Sequence, residues 1–136
     1  MTLEEEIQDR LVADTESILE DNLDQVEQLF QLHSDGTIDI NEDYRDVSPE
    51  NQALIYLIAQ RFAKEGNIAD EDTIETEFFY ERFDRGDRTV REDLQSIREA
   101  GLISKEGRST HRLIVENLPE ALNRIEADQN PGGEGK

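Results

Sequence analysis

Eight basic side chains are concentrated in residues 82–112, where only six acids accompany them. The local charge of this window is +2, whereas the chain as a whole carries a formal net charge of −20. Guanidinium groups form paired hydrogen bonds with phosphates and carboxylates, so this window is suited to a phosphate-rich polymer or to an acidic protein. A patch whose sign opposes that of the whole chain indicates a binding surface better than the total charge does.

The remaining side chains offer little for catalysis or metal binding. The chain has no cysteine and only two histidines, His33 and His111, which lie in segments of different type. Carboxylates are adjacent in "LEEE" and "DED", but such runs usually form solvated faces. There is no glycine-rich phosphate loop and no glycine-flanked serine. The sequence therefore predicts no catalytic residue, no metal site and no cofactor, and hence no enzyme.

The overall composition is acidic and poor in lysine. Thirty-four acids stand against 14 bases, and only three of those bases are lysines. Such chains resemble the cytoplasmic proteins of salt-loving archaea, so we expect the acidic surface to be an adaptation to the solvent. The chain has no run of about 18 apolar residues and no basic-then-apolar leader. These features predict a halophilic cytoplasmic protein that does not enter a membrane.

The first third of the chain has mainly helical patterns. Apolar residues at four-residue spacing predict a helix over residues 3–13. Asp14 or Thr15 is expected to cap a longer helix that continues to residue 32. Residues 37–40, "TIDI", alternate like a short strand, although no partner strand is evident from the sequence.

The next segment begins with clear helix signals. Ser48 is expected to cap a helix with Pro49 at its first position, and Gly66 is expected to end it in a left-handed conformation. A further helix, with Asp72 or Thr73 as its cap, would carry three of the phenylalanines.

The basic window follows that helix. Asp87 is expected to cap a helix over residues 88–100, which Gly101 ends. Strands over residues 102–104 and 110–115 flank the turn "KEGR", whose Gly107 forms the tip of a hairpin. His111 alternates with apolar residues in the second strand, so it is predicted first as a packed residue and second as a phosphate contact.

A last helix starts at "NLPE", with Asn117 as cap and Glu120 completing a capping box. Leu118, Leu122 and Ile125 are expected to anchor it to the core. The resulting division is a helical segment over residues 1–45, a domain over residues 48–126, and a mobile tail over residues 127–136.

The stretch "RTVREDLQSIREAGLI" resembles the recognition-helix region of winged helix-turn-helix proteins of the DeoR and GntR type. The matching residues are Thr89, Val90, Arg91, Asp93, Leu94, Ile97, Gly101, Leu102 and Ile103. The resemblance implies a mainly α fold with a small β-hairpin wing over residues 48–126. The segment over residues 1–45 is then either a degenerate second helix-turn-helix or a dimerisation region.

The resemblance also implies double-stranded DNA as the partner, bound by the 88–100 helix and the 104–113 wing. Helical geometry places Arg88 and Gln95 opposite the buried stripe, where they suit guanine and adenine, while Arg91 and Arg98 on one flank suit backbone phosphates. The expected DNA-binding residues are Arg85, Arg88, Thr89, Arg91, Gln95, Arg98, Lys105, Arg108 and Arg112.

Glu92 departs from this pattern. DeoR-type sequences usually carry a second arginine at the corresponding position, so an acid there weakens the argument for base-specific binding. Three functions therefore stay open: a small dimeric transcriptional regulator, a winged-helix adaptor that binds another protein, and an acidic mimic of DNA.

Overall fold

The computed structural model describes residues 2–11 and 14–129. In this part of the chain the helices are α1 (Leu3–Arg10), α2 (Thr15–Asp21), α3 (Leu23–Val26), α4 (Pro49–Glu65), α5 (Thr76–Arg82), α6 (Asp87–Glu99) and α7 (Leu118–Gln129). The strands are β1 (Phe30–Leu32), β2 (Ile38–Ile40), β3 (Thr73–Glu75), β4 (Ile103–Lys105) and β5 (Thr110–Leu113), and two 3-10 turns span Glu42–Tyr44 and Val115–Asn117. The prediction of a mainly helical chain with a small hairpin is confirmed. No helix in these residues is both long and apolar enough to cross a bilayer.

The long helix predicted over residues 14–32 is wrong in its second half. Asp14 does cap α2, since its carboxylate accepts from the Ser17 amide at 3.1 Å. However, α2 ends at Asp21, α3 is a single turn, and the chain then enters β1, whose Phe30 pairs with Ile40 of β2. Both of these side chains are buried in the core. Pairing with β2, which follows after a turn of only five residues, has overridden a local pattern that also suits a helix.

Helix α4 is the centre of the core. Ser48 caps it as predicted, because its hydroxyl accepts from the Asn51 amide at 3.3 Å. Most of its apolar side chains are fully buried, and the helix contacts both sheets as well as α6 and α7. Gly66 is not the left-handed residue, since its φ is −83° and Asn67 takes that conformation at φ 59°. The chain turns one residue later than predicted.

The predicted helix start at Asp72 or Thr73 is also wrong. Thr73–Glu75 forms β3, the outer strand of an antiparallel sheet with the order β3, β5, β4. Ile74 lies opposite His111 in this sheet. Asp72 accepts a hydrogen bond from Arg112 instead of capping a helix. Because β5 lies more than thirty residues further along the chain, no local pattern shows this pairing.

The basic window folds close to its prediction. Helix α6 starts at Asp87 with Gly86 as N-cap residue, so Asp87 is the first helical residue and not the cap. Gly101 ends the helix in the left-handed conformation at φ +81°, and the Leu102 amide bonds to the Ile97 carbonyl at 3.1 Å. Strands β4 and β5 pair around a turn in which Gly107 has φ +83°.

The last helix continues to Gln129, so residues 127–129 are helical and do not belong to the predicted tail. The rest of that tail, residues 130–136, lies outside the described residues. Asn117 falls in a 3-10 turn, and its side-chain amide donates to the Gly101 carbonyl at 2.6 Å instead of starting α7. The predicted anchors are buried: Leu118, Leu122 and Ile125. One apolar cluster runs from α2 to α7 and includes residues of both predicted segments.

Candidate functional site

A groove of about 400 Å³ lies between α5, α6 and the β4–β5 hairpin. Helix α6 presents Arg91, Gln95 and Arg98 to this groove, which is the i, i+4, i+7 spacing of one helix face. The hairpin contributes Lys105 and Arg108 from either side of its tip. We call this feature the basic groove. Five of the nine predicted DNA-binding residues therefore line one concave surface.

The packing of α6 sets the direction of these side chains. Val90, Leu94 and Ile97 are buried against α4 and the sheet, so the rotation of the helix about its axis is fixed. The arginines that line the basic groove lie on the flank of that buried stripe. The packing of the core therefore directs this flank of the helix toward the hairpin.

The four cations of the basic groove are Arg91, Arg98, Lys105 and Arg108, and its only acid is Glu77. Within residues 2–11 and 14–129, none of these four cations forms a salt bridge. Arg91 donates instead to the neutral Tyr80 hydroxyl at 3.0 Å. Cations without a carboxylate partner on two of the three walls of one groove are an arrangement that attracts an anion.

The other predicted cations are neutralised by carboxylates outside the groove. Arg85 binds Asp93 at 3.1 Å, and Arg112 binds Asp72 at 3.1 Å and Glu106 at 3.4 Å. Arg112 also lies on the sheet face opposite His111, since the two are neighbours in β5. Arg85 and Arg112 therefore have structural partners of their own.

Asp93 is the acid that precedes Leu94 in the quoted motif, and its side chain is buried. Burial raises the pKa of this carboxyl group, whereas the positive charge and hydrogen bonds of Arg85 act to lower it. Arg85 donates from Nε and Nη2 to the two carboxylate oxygens. The pair ties the turn after α5 to the middle of α6.

The outer face of α6 carries paired charges. Arg88 binds Glu92 at 3.3 Å, with side chains 86 % and 60 % exposed, and Gln95 donates to Glu99 at 2.9 Å. Glu92, the residue that departs from the DeoR-type pattern, thus neutralises the arginine expected to contact guanine. Thr89 is half-buried in the first turn of the helix and does not line the basic groove.

His111 lines the basic groove and is 2 % exposed. The first of its two predicted roles, that of a packed residue, is confirmed. Its Nε2 lies 2.7 Å from the Thr76 hydroxyl, which itself donates to the Ser109 carbonyl at 3.0 Å. Because that hydroxyl has only one hydrogen, Nε2 must donate to it, which leaves Nδ1 as a bare acceptor. Nδ1 is buried and has no hydrogen-bond partner.

The electrostatics of the basic groove act on this imidazole. Burial, and then the positive charges of Arg98 and Lys105, lower the pKa of His111 to about 4. The ring is therefore neutral near pH 7. An anion that neutralised those cations would remove part of this effect and make protonation of Nδ1 easier.

Sequence reasoning missed the α5 wall of the groove, which consists of Thr76, Glu77 and Tyr80. The prediction placed the helix start two or three residues too early, so it assigned residues of β3 to the helix. The signal that was available is "TIE", residues 73–75, whose alternation and β-branched residues are typical of a strand.

No protein-family model, curated protein sequence or solved structure matches this chain. The functional argument consequently depends on the geometry and the charges described above.

Proposed function

We propose that residues 48–129 form a winged helix-turn-helix unit and that this unit binds double-stranded DNA. In this proposal α5 and α6 are the helix-turn-helix pair and the β4–β5 hairpin is the wing. The outer face of α6 enters the major groove, and the basic groove receives the phosphate backbone beside it. The observation that carries the proposal is the convergence on one groove of four cations that have no carboxylate partner among the described residues.

The distribution of ion pairs supports this choice of surface. A chain with 34 acids has enough carboxylates to neutralise every arginine. Arg85, Arg88 and Arg112 each have such a partner, whereas Arg98 and Arg108 have none within the described ranges. Cations that stay without a carboxylate in so acidic a protein are suited to an external anion.

Salt limits how much these cations contribute. With four phosphate contacts, log K falls by roughly 3.6 per decade of salt concentration. Repulsion between DNA and the acidic remainder of the protein is screened over the same range, because the Debye length falls to about 3 Å at 1 M salt. In concentrated KCl the net charge does not prevent binding, and shape complementarity has to supply much of the affinity.

Arg88 can contact a base only if it gives up its ion pair with Glu92 and binds guanine instead. An exposed i, i+4 ion pair such as Arg88–Glu92 stabilises a helix by only about 0.3–0.5 kcal/mol. A bidentate arginine–guanine contact contributes about 1–3 kcal/mol of discrimination. The exchange is therefore favourable at a site that presents guanine, and Glu92 is then free to accept from cytosine.

The proposal includes a homodimer and a salt-rich cytoplasm. The helix predicted over residues 14–32 does not exist as one element and cannot serve as a long dimerisation helix, and the apolar side of α7 is covered by α4. Helix α1 instead exposes Leu3, Ile7 and Leu11. Light scattering on the native chain and on Leu3→Glu/Leu11→Glu tests this contact, since only a dimer through α1 loses half its mass in the variant.

The decisive experiment is fluorescence anisotropy with labelled random genomic duplex fragments, titrated with the native chain across a series of KCl concentrations. The expected result is binding at micromolar protein that weakens as salt rises. An unchanged anisotropy at every salt concentration contradicts DNA binding.

A protein adaptor is the second candidate, and one observation favours it. On the outer face of α6, Glu92 pairs with Arg88 and Glu99 keeps its negative charge while accepting a hydrogen bond from Gln95, so this face resembles a polar protein interface more than a phosphate-binding one. In that case the basic groove binds an acidic segment of a partner. Retention of an acidic protein by the immobilised chain, with no effect of duplex DNA on that retention, supports this alternative.

A further inference from the structure

A second groove lies between α2, α3, β1 and the carboxy-terminal end of α4. Its volume is about 530 Å³. The floor is apolar and includes Leu19, Val26 and Phe30, all buried, while Leu23 at its edge is 51 % exposed. We call it the apolar groove. It shares no lining residue with the basic groove.

Every charged side chain that lines the apolar groove is a glutamate: Glu16, Glu20, Glu27 and Glu65. Glu65 forms a salt bridge with Arg61 at 3.0 Å. The other three have no salt bridge in the described parts of the chain. Adaptation to salt explains acids on a solvated face, but it does not explain an open apolar surface surrounded by them. This combination is complementary to an apolar body that carries positive charge.

We propose that the apolar groove binds a small organic cation with a flat apolar body, such as a planar aromatic amine. The volume lies in the range of about 300–1,000 Å³ that is usual for small-molecule sites. Aromatic and aliphatic side chains such as Phe30, Phe62 and Leu32 contact the body, and the glutamates surround its positive edge. Burial of the apolar body persists in concentrated salt, where screened charges alone bind weakly.

The apolar groove and the basic groove have no residue in common. Helix α4 nevertheless connects them, because it lines the apolar groove and packs against α6. Phe62 and Glu65 of α4 line the apolar groove, and the same helix packs against α6. Binding of a cation in the apolar groove does not require that the chain bind DNA.

The test is a fluorescence-anisotropy titration of proflavine, a planar aromatic cation, with the native chain in molar KCl. Acridine, kept neutral at mildly alkaline pH, and anthracenecarboxylate, an anion, are probes of similar shape. We expect saturable binding of proflavine, weaker binding of acridine and none of the anion. Equal affinity for all three probes, or no saturation with proflavine, overturns the proposal.

Two variants locate the site. Glu20→Gln/Glu27→Gln removes two rim charges and is expected to weaken proflavine binding several-fold, whereas Glu71→Gln/Glu81→Gln, two exposed acids that line neither groove, leaves it unchanged. Leu23→Trp fills the groove from its exposed edge and is expected to abolish binding with little effect on the melting curve. Undiminished binding in Leu23→Trp contradicts this location. A basic amphipathic peptide that binds where proflavine does not would show that the groove serves a protein partner instead.

Both variants are also assayed for duplex binding. Loss of proflavine binding with unchanged DNA affinity is the expected pattern, because the two grooves share no residue. If proflavine does not bind, the proposal of DNA binding is unaffected. If DNA does not bind, the proposal of a cation site in the apolar groove is unaffected, so the two failures are distinguishable.

Discussion

Arg85 binds both carboxylate oxygens of Asp93 across the turn that joins α5 to α6, with N···O distances of 3.1 and 3.3 Å. The aspartate is buried, and the arginine is half-exposed at the edge of the turn. Bidentate pairs of this kind fix orientation as well as charge. Arg85, which the sequence pattern placed among the DNA-binding residues, therefore has a role in holding α6 against α5.

Removal of this arginine is expected to destabilise the protein. Arg85→Ala leaves a buried carboxylate without its partner, which we expect to lower the free energy of unfolding by about 2 kcal/mol. The matched control is Arg88→Ala, whose pair with Glu92 is exposed and contributes about 0.5 kcal/mol or less. Urea denaturation in molar KCl measures both. Equal losses in the two variants would show that the buried pair has no special structural role.

The pH dependence of stability depends partly on His111. Its pKa is about 4 in the folded protein and 6.5 in an unperturbed histidine. Between these values the unfolded chain binds the proton more readily than the folded protein. The free energy of unfolding therefore has its full value with respect to His111 above pH 6.5 and decreases as the pH falls toward 4. The integrated loss is roughly 3 kcal/mol, at 1.36 kcal/mol for each pH unit.

His111→Gln removes this titration and can still donate to the Thr76 hydroxyl. The urea concentration at the midpoint of unfolding, measured from neutral pH down to about pH 4, should therefore fall less steeply with decreasing pH for the variant than for the native chain. Parallel curves for the two proteins would mean that His111 is protonated as easily when folded as when unfolded.

The cations of the basic groove should control the salt dependence of DNA binding. Arg98→Ala/Arg108→Ala removes two phosphate contacts, so the slope of log K against log salt should become about two units shallower. Arg112→Ala is the matched control, because Arg112 lies on the other face of the sheet and already binds Asp72. We expect this control to keep the native slope. If Arg112→Ala makes the slope as shallow as the groove variant does, the phosphate surface has been assigned to the wrong face.

Stability should rise with salt if the acidic surface is an adaptation to concentrated KCl. A net charge of −20 destabilises the compact state by self-repulsion, and the Debye length falls from about 8 Å at 0.15 M to 3 Å at 1 M. We expect the melting temperature to increase by several degrees over this range. Thermal denaturation followed by circular dichroism measures it, and a constant or falling melting temperature would remove the argument for halophilic adaptation.

Local signals in the sequence were sufficient for the elements of the basic window. Gly101 ends α6 and Gly107 lies in the hairpin turn because both positions need positive φ. Strands β1 and β3 were missed because each has only three residues, too few for a local pattern to outweigh the helical pattern beside it, and each is fixed by its partner strand. Phe30 pairs with Ile40, and Ile74 pairs with His111.

The sequence also could not predict which arginines form ion pairs and which do not. Arg85 and Asp93 are eight residues apart, and Arg112 and Asp72 are forty apart. Spacing along one helix places Arg91 and Arg98 on a common flank, and this part of the prediction corresponds to the basic groove. Which carboxylate neutralises which arginine depends on the tertiary fold, so the predicted set of nine residues combines groove cations with structural ones.

The most direct test of the central claim is an amide chemical-shift titration of the isotope-labelled chain with duplex DNA in molar KCl. The account predicts that the perturbed residues cluster on the walls of the basic groove, around Arg91, Gln95, Arg98, Lys105 and Arg108, while residues of the apolar groove stay unperturbed. No perturbation at saturating DNA, or perturbation centred on α2 and α3, would contradict it.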